Sequence, residues 1–520
     1  MMKKLISALL ALTMALALAV PASAAGEEPL GVIGGADGPT SIMTIGVLDD
    51  AATDTAVDEE ALAALRAQTI ELLGGKAGET NVLFNGRCIR FTDASPEAKD
   101  GRTMVPLRAT LESMGATVGY DQATKTAIVT GEKVSFTHVI GSDTIVLSDG
   151  TEVKMDVASY ATAANRTMVP VRFFSQVLGY DVFWDNDYKL VFLLDEESMV
   201  AAVDEHFAIL NDYLAKAAKN FDPAKNYRQE LTLSGAVKVI DSINGSRSEP
   251  YSVRAEALVG RDGMSMEMNA ELGGILTLLE AFAGESFPAE YRTLLEKTEL
   301  AMRCGERVYF SSPLFTAMLG GAVQGNVWFT TDEVDYTALY GALYGDAGRY
   351  TIGSICYALM LQGDENHFYR SWSEMGDLAS VMIALLGDET FTKSGSSCKW
   401  HLGLDELAAY MNSTAGAEDG LYTAADFREA GLDVLDVSMT LRADGSASLK
   451  FALEMSQGRQ SVLRVDLTAA GSQAKSTLKG TVQVYDTCDV TFDGTVTTRT
   501  TSEKIVTELP EGTVIIDLAA

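Results

Sequence analysis

The chain of 520 residues is 47% hydrophobic and sets 72 acidic against 40 basic side chains, for a formal charge of −32. So much apolar content excludes wholesale disorder, and so much negative charge argues against nucleic acid and anionic lipid surfaces as partners. At ~150 residues per domain, the length accommodates about three domains.

Met1-Met2-Lys3-Lys4 precedes an apolar run from Leu5 to Val20 and the small-residue stretch Pro21-Ala22-Ser23-Ala24-Ala25. A basic start, a short apolar core and an Ala-x-Ala end predict a secretory signal over residues 1–25, cut after Ala24 or Ala25. The run falls short of the ~20 residues of a membrane span. No Cys follows it for lipid attachment, and no later stretch approaches a span. The expected location is extracytoplasmic, secreted or at the cell surface, with no transmembrane segment in the mature chain. Cys88, Cys304, Cys356, Cys398 and Cys488 form no CxxC and no regular spacing. Their odd number leaves at least one thiol unpaired within the chain, and the four in the C-terminal half allow three pairings.

Residues 26–80 read as a flexible tail rich in Gly, Ala, Asp and Thr, followed by a short helix from Asp58 to Leu73 that Gly74-Gly75 stops. Inside the tail, Gly34-Gly35-Ala36-Asp37-Gly38-Pro39-Thr40-Ser41-Ile42 resembles a segment of the membrane β subunit of sodium-pumping decarboxylases. The membrane helices that surround it there have no counterpart here, so no function is carried over.

An internal repeat organises residues 81–195. Arg102-Thr103-Met104-Val105-Pro106 recurs 64 residues later as Arg166-Thr167-Met168-Val169-Pro170. The same offset aligns Gly86 with Gly150, Arg108 with Arg172, Gly115 with Gly179, Asp121 with Asp185 and Lys125 with Lys189. These are two copies of one supersecondary unit. Each copy predicts a hairpin around Asn85-Gly86 or Asp149-Gly150. The Val-Pro step then opens a helix, where the missing N–H is not needed. Leu107, Leu111 and Met114 share one helical face in the first copy, and Val171, Phe174 and Leu178 in the second, before Gly115 and Gly179 end the helices. A second hairpin follows in each, over Ala116–Val129 and Tyr180–Leu193. Neither copy can bury its apolar helix face alone, so the two are expected to share one core.

These motifs resemble the copper amine oxidase N-terminal-like, or stalk, domain over about 115 residues. The resemblance implies an extracytoplasmic α+β module that projects or docks other domains of bacterial surface proteins, with copper and the quinone cofactor belonging to another domain for which no counterpart is seen. The family motif falls on Arg102, Pro106, Arg108 and Gly115, and on Arg166, Pro170, Arg172 and Gly179, as fold-defining positions. Arg108 and Arg172 are candidates for an anion- or glycan-binding surface, against the ordinary role of a salt bridge to a neighbouring carboxylate.

Residues 196–219 predict one helix with a stripe of Val200, Val203, Phe207, Leu210, Leu214 and Ala217. From Tyr227 the pattern turns to period two. Strands are expected at Tyr227–Ile240, Tyr251–Val259, Met264–Leu272, Arg307–Ser311, Asn326–Thr330, Val437–Arg442, Ser446–Met455, Gln460–Thr468, Thr477–Tyr485 and Val490–Thr498. Helices are expected at about Leu276–Ala283, Ala289–Glu299, Tyr336–Tyr344, Met375–Leu386 and Asp405–Met411. Long strands with inserted helices argue for an α+β domain over 196–520 built on a large antiparallel sheet. That layout is similar to the lipoprotein- and lipid-carrier (LolA-like) half-barrels.

Few residues point to catalysis. The four histidines, His138, His206, His367 and His401, are scattered, with no HExxH, HxH or GxSxG. Ser396-Ser397-Cys398-Lys399 and Ser472-Gln473-Ala474-Lys475 fit SxxK without its companion motifs, and no phosphate-cradling Gly loop occurs. Met264, Met266 and Met268 alternate on one strand face, which suits a soft apolar core or ligand cavity and also the thioether chemistry of copper. No EF-hand spacing is present.

The expectation is therefore an α+β, non-enzymatic envelope protein without cofactor or metal. Its stalk module would dock to a cell-wall component or envelope protein and present a β-rich binding domain, with Arg108, Arg172, Met264, Met266 and Met268 as candidate binding residues. The alternatives are a carrier of a lipid or other apolar ligand and a cell-wall hydrolase whose site is not recognisable from motifs.

Overall fold

The computed structural model describes residues 59–517 apart from 334–350, 319–324, 415–420, 241–244, 362–365 and the isolated positions 100, 134, 220, 221, 223, 284, 285, 287, 288 and 306. The signal, the Gly34-to-Thr40 segment and the helix expected at Tyr336–Tyr344 lie outside the described residues. The chain is α+β, 28% helix and 45% strand, and forms two compact units. One unit joins Glu28–Phe207 to Thr351–Ile383; the described residues of the other come from Ala208–Tyr350 and Ala384–Ala520.

In the first unit, helix α1 (Glu59–Leu72) precedes the two repeats. The first repeat runs β1 (Asn81–Phe84), β2 (Arg87–Cys88), β3 (Glu97–Lys99), β4 (Arg102–Pro106), α2 (Leu107–Ser113), β5 (Thr117–Asp121) and β6 (Thr126–Thr130). After β7 (Phe136–Val139), the second runs β8 (Thr144–Leu147), β9 (Glu152–Lys154), β10 (Tyr160–Ala161), β11 (Thr167–Pro170), α3 (Phe173–Leu178), β12 (Asp181–Asp185) and β13 (Leu190–Leu194). Local chemistry explains the joints. Asn85 and Gly86 sit at φ 46° and 82°, the left-handed pair that a tight hairpin requires. Gly115 and Gly179 end their helices at φ 86° and 71°.

The two copies interleave. In the middle sheet, β10-β11-β4-β3, the Thr-Met-Val-Pro strands pair antiparallel with Val105 opposite Val169. Equivalent residues therefore face each other across a local two-fold. Each flanking sheet combines the second hairpin of one copy with the first hairpin of the other, as β12-β13-β1-β2 and as β5-β6-β7-β8-β9. In the former, β13 lies parallel and directly against β1; in the latter, β7 stands between the copies. The shared core draws Leu107, Leu111 and Val129 from one copy and Phe173, Phe174 and Leu193 from the other. A single copy would leave β4 paired with β3 alone and β1 with β2 alone, each open along its other edge, which is why neither closes alone.

The chain continues through α4 (Glu196–Asp204) to α5 (Ala208–Ala218), where one helix was expected. The break has a physical cause: the Asp388 carboxylate accepts the Ala208 and Ile209 N–H groups at 2.9 and 2.8 Å, starting a new helix with its own cap.

The second unit is built on one sheet of 14 strands. Its elements are β14 (Asn226–Val239), β15 (Arg247–Gly260), β16 (Gly263–Glu271), α6 (Gly273–Ala283), α7 (Ala289–Glu296), β17 (Lys297–Cys304), β18 (Arg307–Ser311), α8 (Pro313–Met318) and β19 (Asn326–Glu333). After two helices that belong to the first unit, α9 (Ile352–Met360) and most of α10 (Phe368–Leu386), come β20 (Thr392–Ser394), β21 (Ser397–Gly403), α11 (Leu404–Thr414), α12 (Ala424–Glu429), β22 (Leu432–Arg442), β23 (Ala447–Gln457), β24 (Gln460–Ser472), β25 (Lys475–Val484), β26 (Cys488–Thr501) and β27 (Thr513–Asp517). The spatial order is β20 to β26, then β14 to β19, then β27. All pairs are antiparallel except β19 with β27, which run parallel. The expected large antiparallel sheet is present and is mixed at this one edge. The connection after β26 returns to the far side of the sheet, and its length frees it from the antiparallel constraint of a tight turn. The helix expected to reach Glu299 stops at Glu296, because Thr298, Leu300 and Met302 already alternate as strand β17 against β16.

The first unit takes in Thr351–Ile383 from far along the chain, and β13 shows why. All five of its residues, Leu190 to Leu194, are buried. Val191 and Leu193 face the shared core, and the outward Phe192 packs edge-on against Phe368 at 5.1 Å and against Trp372 at 5.8 Å. Phe183 stacks on Phe368 at 4.1 Å. Polar anchors fix the cover: buried Asp185 accepts the Tyr369 N–H (3.0 Å), the Tyr357 hydroxyl donates to Asp181 (2.7 Å), and Asp204 accepts the Gly353 N–H (2.8 Å).

Candidate binding surfaces

The large sheet has two chemically different faces. Along one, cross-strand rows read Phe451, Leu467, Gly480, Phe492, Gly235 and Leu453, Val465, Val482, Val490, Val237 from β23 to β14. Helix α6 packs on β14 and β15 at one side of this sheet, and α11 and α12 pack on β21 and β22 at the other. Between them, the apolar residues of β23, β24 and β25 are only half-buried. Glycine serves close packing here: the Tyr251 hydroxyl passes over Gly235 to donate to the Thr491 carbonyl at 3.0 Å, and a Cβ on Gly235 would stand 2.7 Å from the hydroxyl and closer still to the carbonyl oxygen. The opposite face is a ladder of ion pairs, Lys479–Asp493 (2.7 Å), Arg499–Glu230 (2.6 Å), Lys238–Asp489 (3.2 Å) and Arg228–Glu503 (2.8 Å).

A cavity of about 870 Å³ opens where β20, β21, β22 and β23 meet α11, lined among others by Lys399, His401, Glu406, Thr440, Ser448 and Lys450. His401 bridges two carboxylates, Glu406 at Nδ1 (3.4 Å) and Asp436 at Nε2 (3.1 Å). Burial pushes the Glu406 carboxyl up, but backbone N–H groups at the start of α11 and His401 outweigh it and hold the carboxyl below its ordinary range. The two carboxylates lie at opposite nitrogens of the ring, so they cannot converge with it on one ion. Among the described residues, no group of three or more His, Cys, Asp or Glu could hold a metal ion.

One arrangement has the outline of a catalytic pair and was not visible in the sequence. His138 on β7 meets the Ser159 hydroxyl at 2.6 Å through Nε2 and the Thr144 carbonyl at 2.9 Å through Nδ1. The carbonyl can only accept, so Nδ1 carries the proton and Nε2 accepts from serine, the hydrogen bonding of a nucleophile and base. Yet His138 and Ser159 are 2% and 3% exposed, and Ser159 Oγ already accepts the Gly141 N–H at 3.0 Å. The pair ties a hairpin to the loop ahead of β10 and is closed to substrate.

The sequence-predicted residues separate. Arg108 is exposed and reaches Glu112 on its own helix at 3.9 Å; Arg172 lies over the Trp184 ring at 5.7 Å. The preceding arginines of the motif cross between copies, Arg102 to Asp156 (2.5 Å) and Arg166 to Asp93 (2.7 Å). Met264, Met266 and Met268 do share one face of β16, opposite Cys304, Met302 and Leu300. Met264 is buried with Cys304, Ala257 and Val259, and Met266 and Met302 pack beside them. Burial pushes the Cys304 thiol up to about 11, so it is a neutral packing group at ordinary pH. All five cysteines are free thiols. Ser472 and Lys475 of the second SxxK close the β24–β25 turn as a cross-strand pair.

Compared with known proteins, residues 83–193 match the family model of the copper amine oxidase N-terminal domain, a non-catalytic domain. The segment is a stalk-type module, and the match covers this segment of the chain alone. A search of curated proteins finds no match. The carrier-type half-barrel resemblance of the second unit is not shown.

Proposed function

We propose that the chain is an extracytoplasmic, non-enzymatic binding protein in which the stalk module docks to a cell-wall component or envelope protein and the large sheet presents a ligand surface. The observation that carries this reading is where the stalk module spends its motif. Arg102 and Arg166 tie the copies together, Pro106 and Pro170 close the middle sheet, and Arg172 covers Trp184. Such a module contributes shape and attachment. Composition over residues 1–25 supports export. The test is co-sedimentation of the full chain with isolated wall material, followed by cross-linking and mass spectrometry. Retention with cross-links from residues 81–195 is expected; cross-links confined to β14–β27 would overturn stalk docking.

A second reading is a carrier of an apolar ligand, favoured by the half-buried apolar rows of β23 to β25. A carrier should release co-purified lipid in native mass spectrometry, and Leu467→Glu at the centre of that face should abolish it. Wild-type protein that carries no lipid and takes up none from added fatty acid would exclude this reading.

A further inference from the structure

We propose that the cavity at the β20 end of the sheet is a binding site for a phosphate-bearing ligand, held between Lys399 and Lys450. The argument begins with charge bookkeeping on one face. Five cations elsewhere on it, Arg228, Lys238, Arg464, Lys479 and Arg499, each meet a carboxylate, whereas Arg254 and Lys475 stand singly on that face; what sets the β20 end apart is three such cations on neighbouring strands. Lys399, Arg442 and Lys450 on the adjacent strands β21, β22 and β23 form no ion pair with any described residue, although acidic residues outnumber basic ones 72 to 40. Of the three, Arg442 donates to the Ser448 hydroxyl at 3.1 Å.

Register brings the group together. Lys399 stands opposite Thr440, which stands opposite Ser448; His401 stands opposite Ser438, which stands opposite Lys450. All point to the same face, because side chains two apart on a strand share it. Strand spacing sets the two lysine Cα atoms roughly 12 Å apart, within reach of one ligand for such long side chains, with hydroxyls of Ser438 and Thr440 between them. These residues line the cavity of about 870 Å³. Nearby carboxylates are already engaged. Glu406 and Asp436 hold His401, Glu406 also accepts the Gly403 N–H (2.9 Å), and Asp444 accepts the Ser446 N–H (2.9 Å).

Two unneutralised ammonium groups flanking hydroxyl donors fit a group with several acceptor oxygens and negative charge. Phosphate fits better than a single carboxylate, because its oxygens can take both lysines and a hydroxyl at once. The site does not rest on the carrier reading, which uses the apolar rows of β23 to β25, nor on stalk docking, which uses residues 81–195.

The test is calorimetric titration of the full chain at low salt with inorganic phosphate, poly(glycerol phosphate) and vesicles of phosphatidylglycerol, which separates free phosphate, a polymer and a lipid headgroup as sources. Binding of at least one probe is expected, weakened at least tenfold in Lys399→Gln/Lys450→Gln. The charge-preserving Lys399→Arg/Lys450→Arg variant should retain it, and Lys479→Gln, which removes an ion-paired lysine, should not affect it. Thermal melting checks that each variant is folded. The proposal is overturned by no binding of any probe, by unchanged affinity in the double Gln variant, or by equal loss in Lys479→Gln.

Discussion

Hairpins β5–β6 and β12–β13 are equivalent members of the two repeats, yet one is covered on a single side and the other on both. In β5–β6, Val118, Ala127 and Val129 face the shared core, while Gly119, Ile128 and Thr130 face outward and are exposed. The equivalent outward positions of β12–β13, 64 residues on, are Phe183, Phe192 and Leu194; Phe183 and Phe192 pack against Phe368 of α10, and Leu194 is fully buried. The inward residues keep their character in both copies because both serve the same core. The outward residues follow whatever covers them. A repeat therefore constrains half of each strand and leaves the other half free to recruit a distant segment.

The sharpest way to break the comparison is to truncate the same position in both copies. Phe192 is 0% exposed, between Phe368 and Trp372, and Phe192→Ala should cost about 3–5 kcal/mol through lost burial and the cavity left behind. Ile128, its counterpart, is 45% exposed, and Ile128→Ala should cost less than about 1 kcal/mol. Urea unfolding reads both. Similar costs would mean that α10 does not cover β13 in solution.

Glycines at equivalent turns give the next largest contrast. Gly86 has φ +82°, and a Cβ there would stand 2.6 Å from the Trp372 ring; Gly86→Ala should cost about 2–4 kcal/mol from left-handed backbone and overpacking together. Gly150 has φ +87° with nothing near its absent Cβ, so Gly150→Ala should cost only the backbone part, about 1–2 kcal/mol. Thermal melts of the pair compare them, and equal shifts would remove Trp372 from the account. The exposed arginine pairs should matter less: Arg166→Ala, which frees Asp93, should lower the melting temperature less than Gly150→Ala does, and a larger loss in the same melt would mark the local two-fold as more dependent on this bridge than its exposure implies.

Much of this was legible in the sequence. The 64-residue repeat, its turns at Asn85-Gly86 and Asp149-Gly150, and most strands of the second unit follow from period-two patterning and turn chemistry. Strand pairing between copies was not legible, because periodicity reports a residue's face and not its neighbour. The cover of β13 had a signal that the repeat alignment contains: Thr126, Ile128 and Thr130 stand against Leu190, Phe192 and Leu194, and a strand apolar on both faces demands two layers. The basic cavity had a weaker one, since unpaired lysines become visible only when register shows which carboxylates are absent. The predicted arginines Arg108 and Arg172 were chosen for recurrence, and recurrence here marks what both copies need to fold.

The smallest effect expected separates the two flanking sheets by what holds them. The sheet of β12 and β13 is fixed by aromatic packing, which does not titrate, whereas β7 and β8 are tied through buried His138. Burial holds the His138 imidazole below its ordinary value, outweighing its hydrogen bond to the Thr144 carbonyl. In the unfolded chain the ring takes up a proton near pH 6.5; in the folded chain it does so only at lower pH. Between those two values the unfolded state binds more protons, so stability is complete above about pH 6.5 and declines as pH falls through that value toward the folded one. Carboxylates elsewhere also respond to acid, so the informative quantity is the difference between wild type and His138→Gln, which keeps a polar group without the titration. Urea midpoints at pH 7.5 and 5.5 should fall more in the wild type than in the variant, and amide exchange in β7 should accelerate more than in β13. Equal decline in both proteins would mean that His138 is protonated in the fold, and the hydrogen bond through Nε2 would then have to be drawn with serine as acceptor.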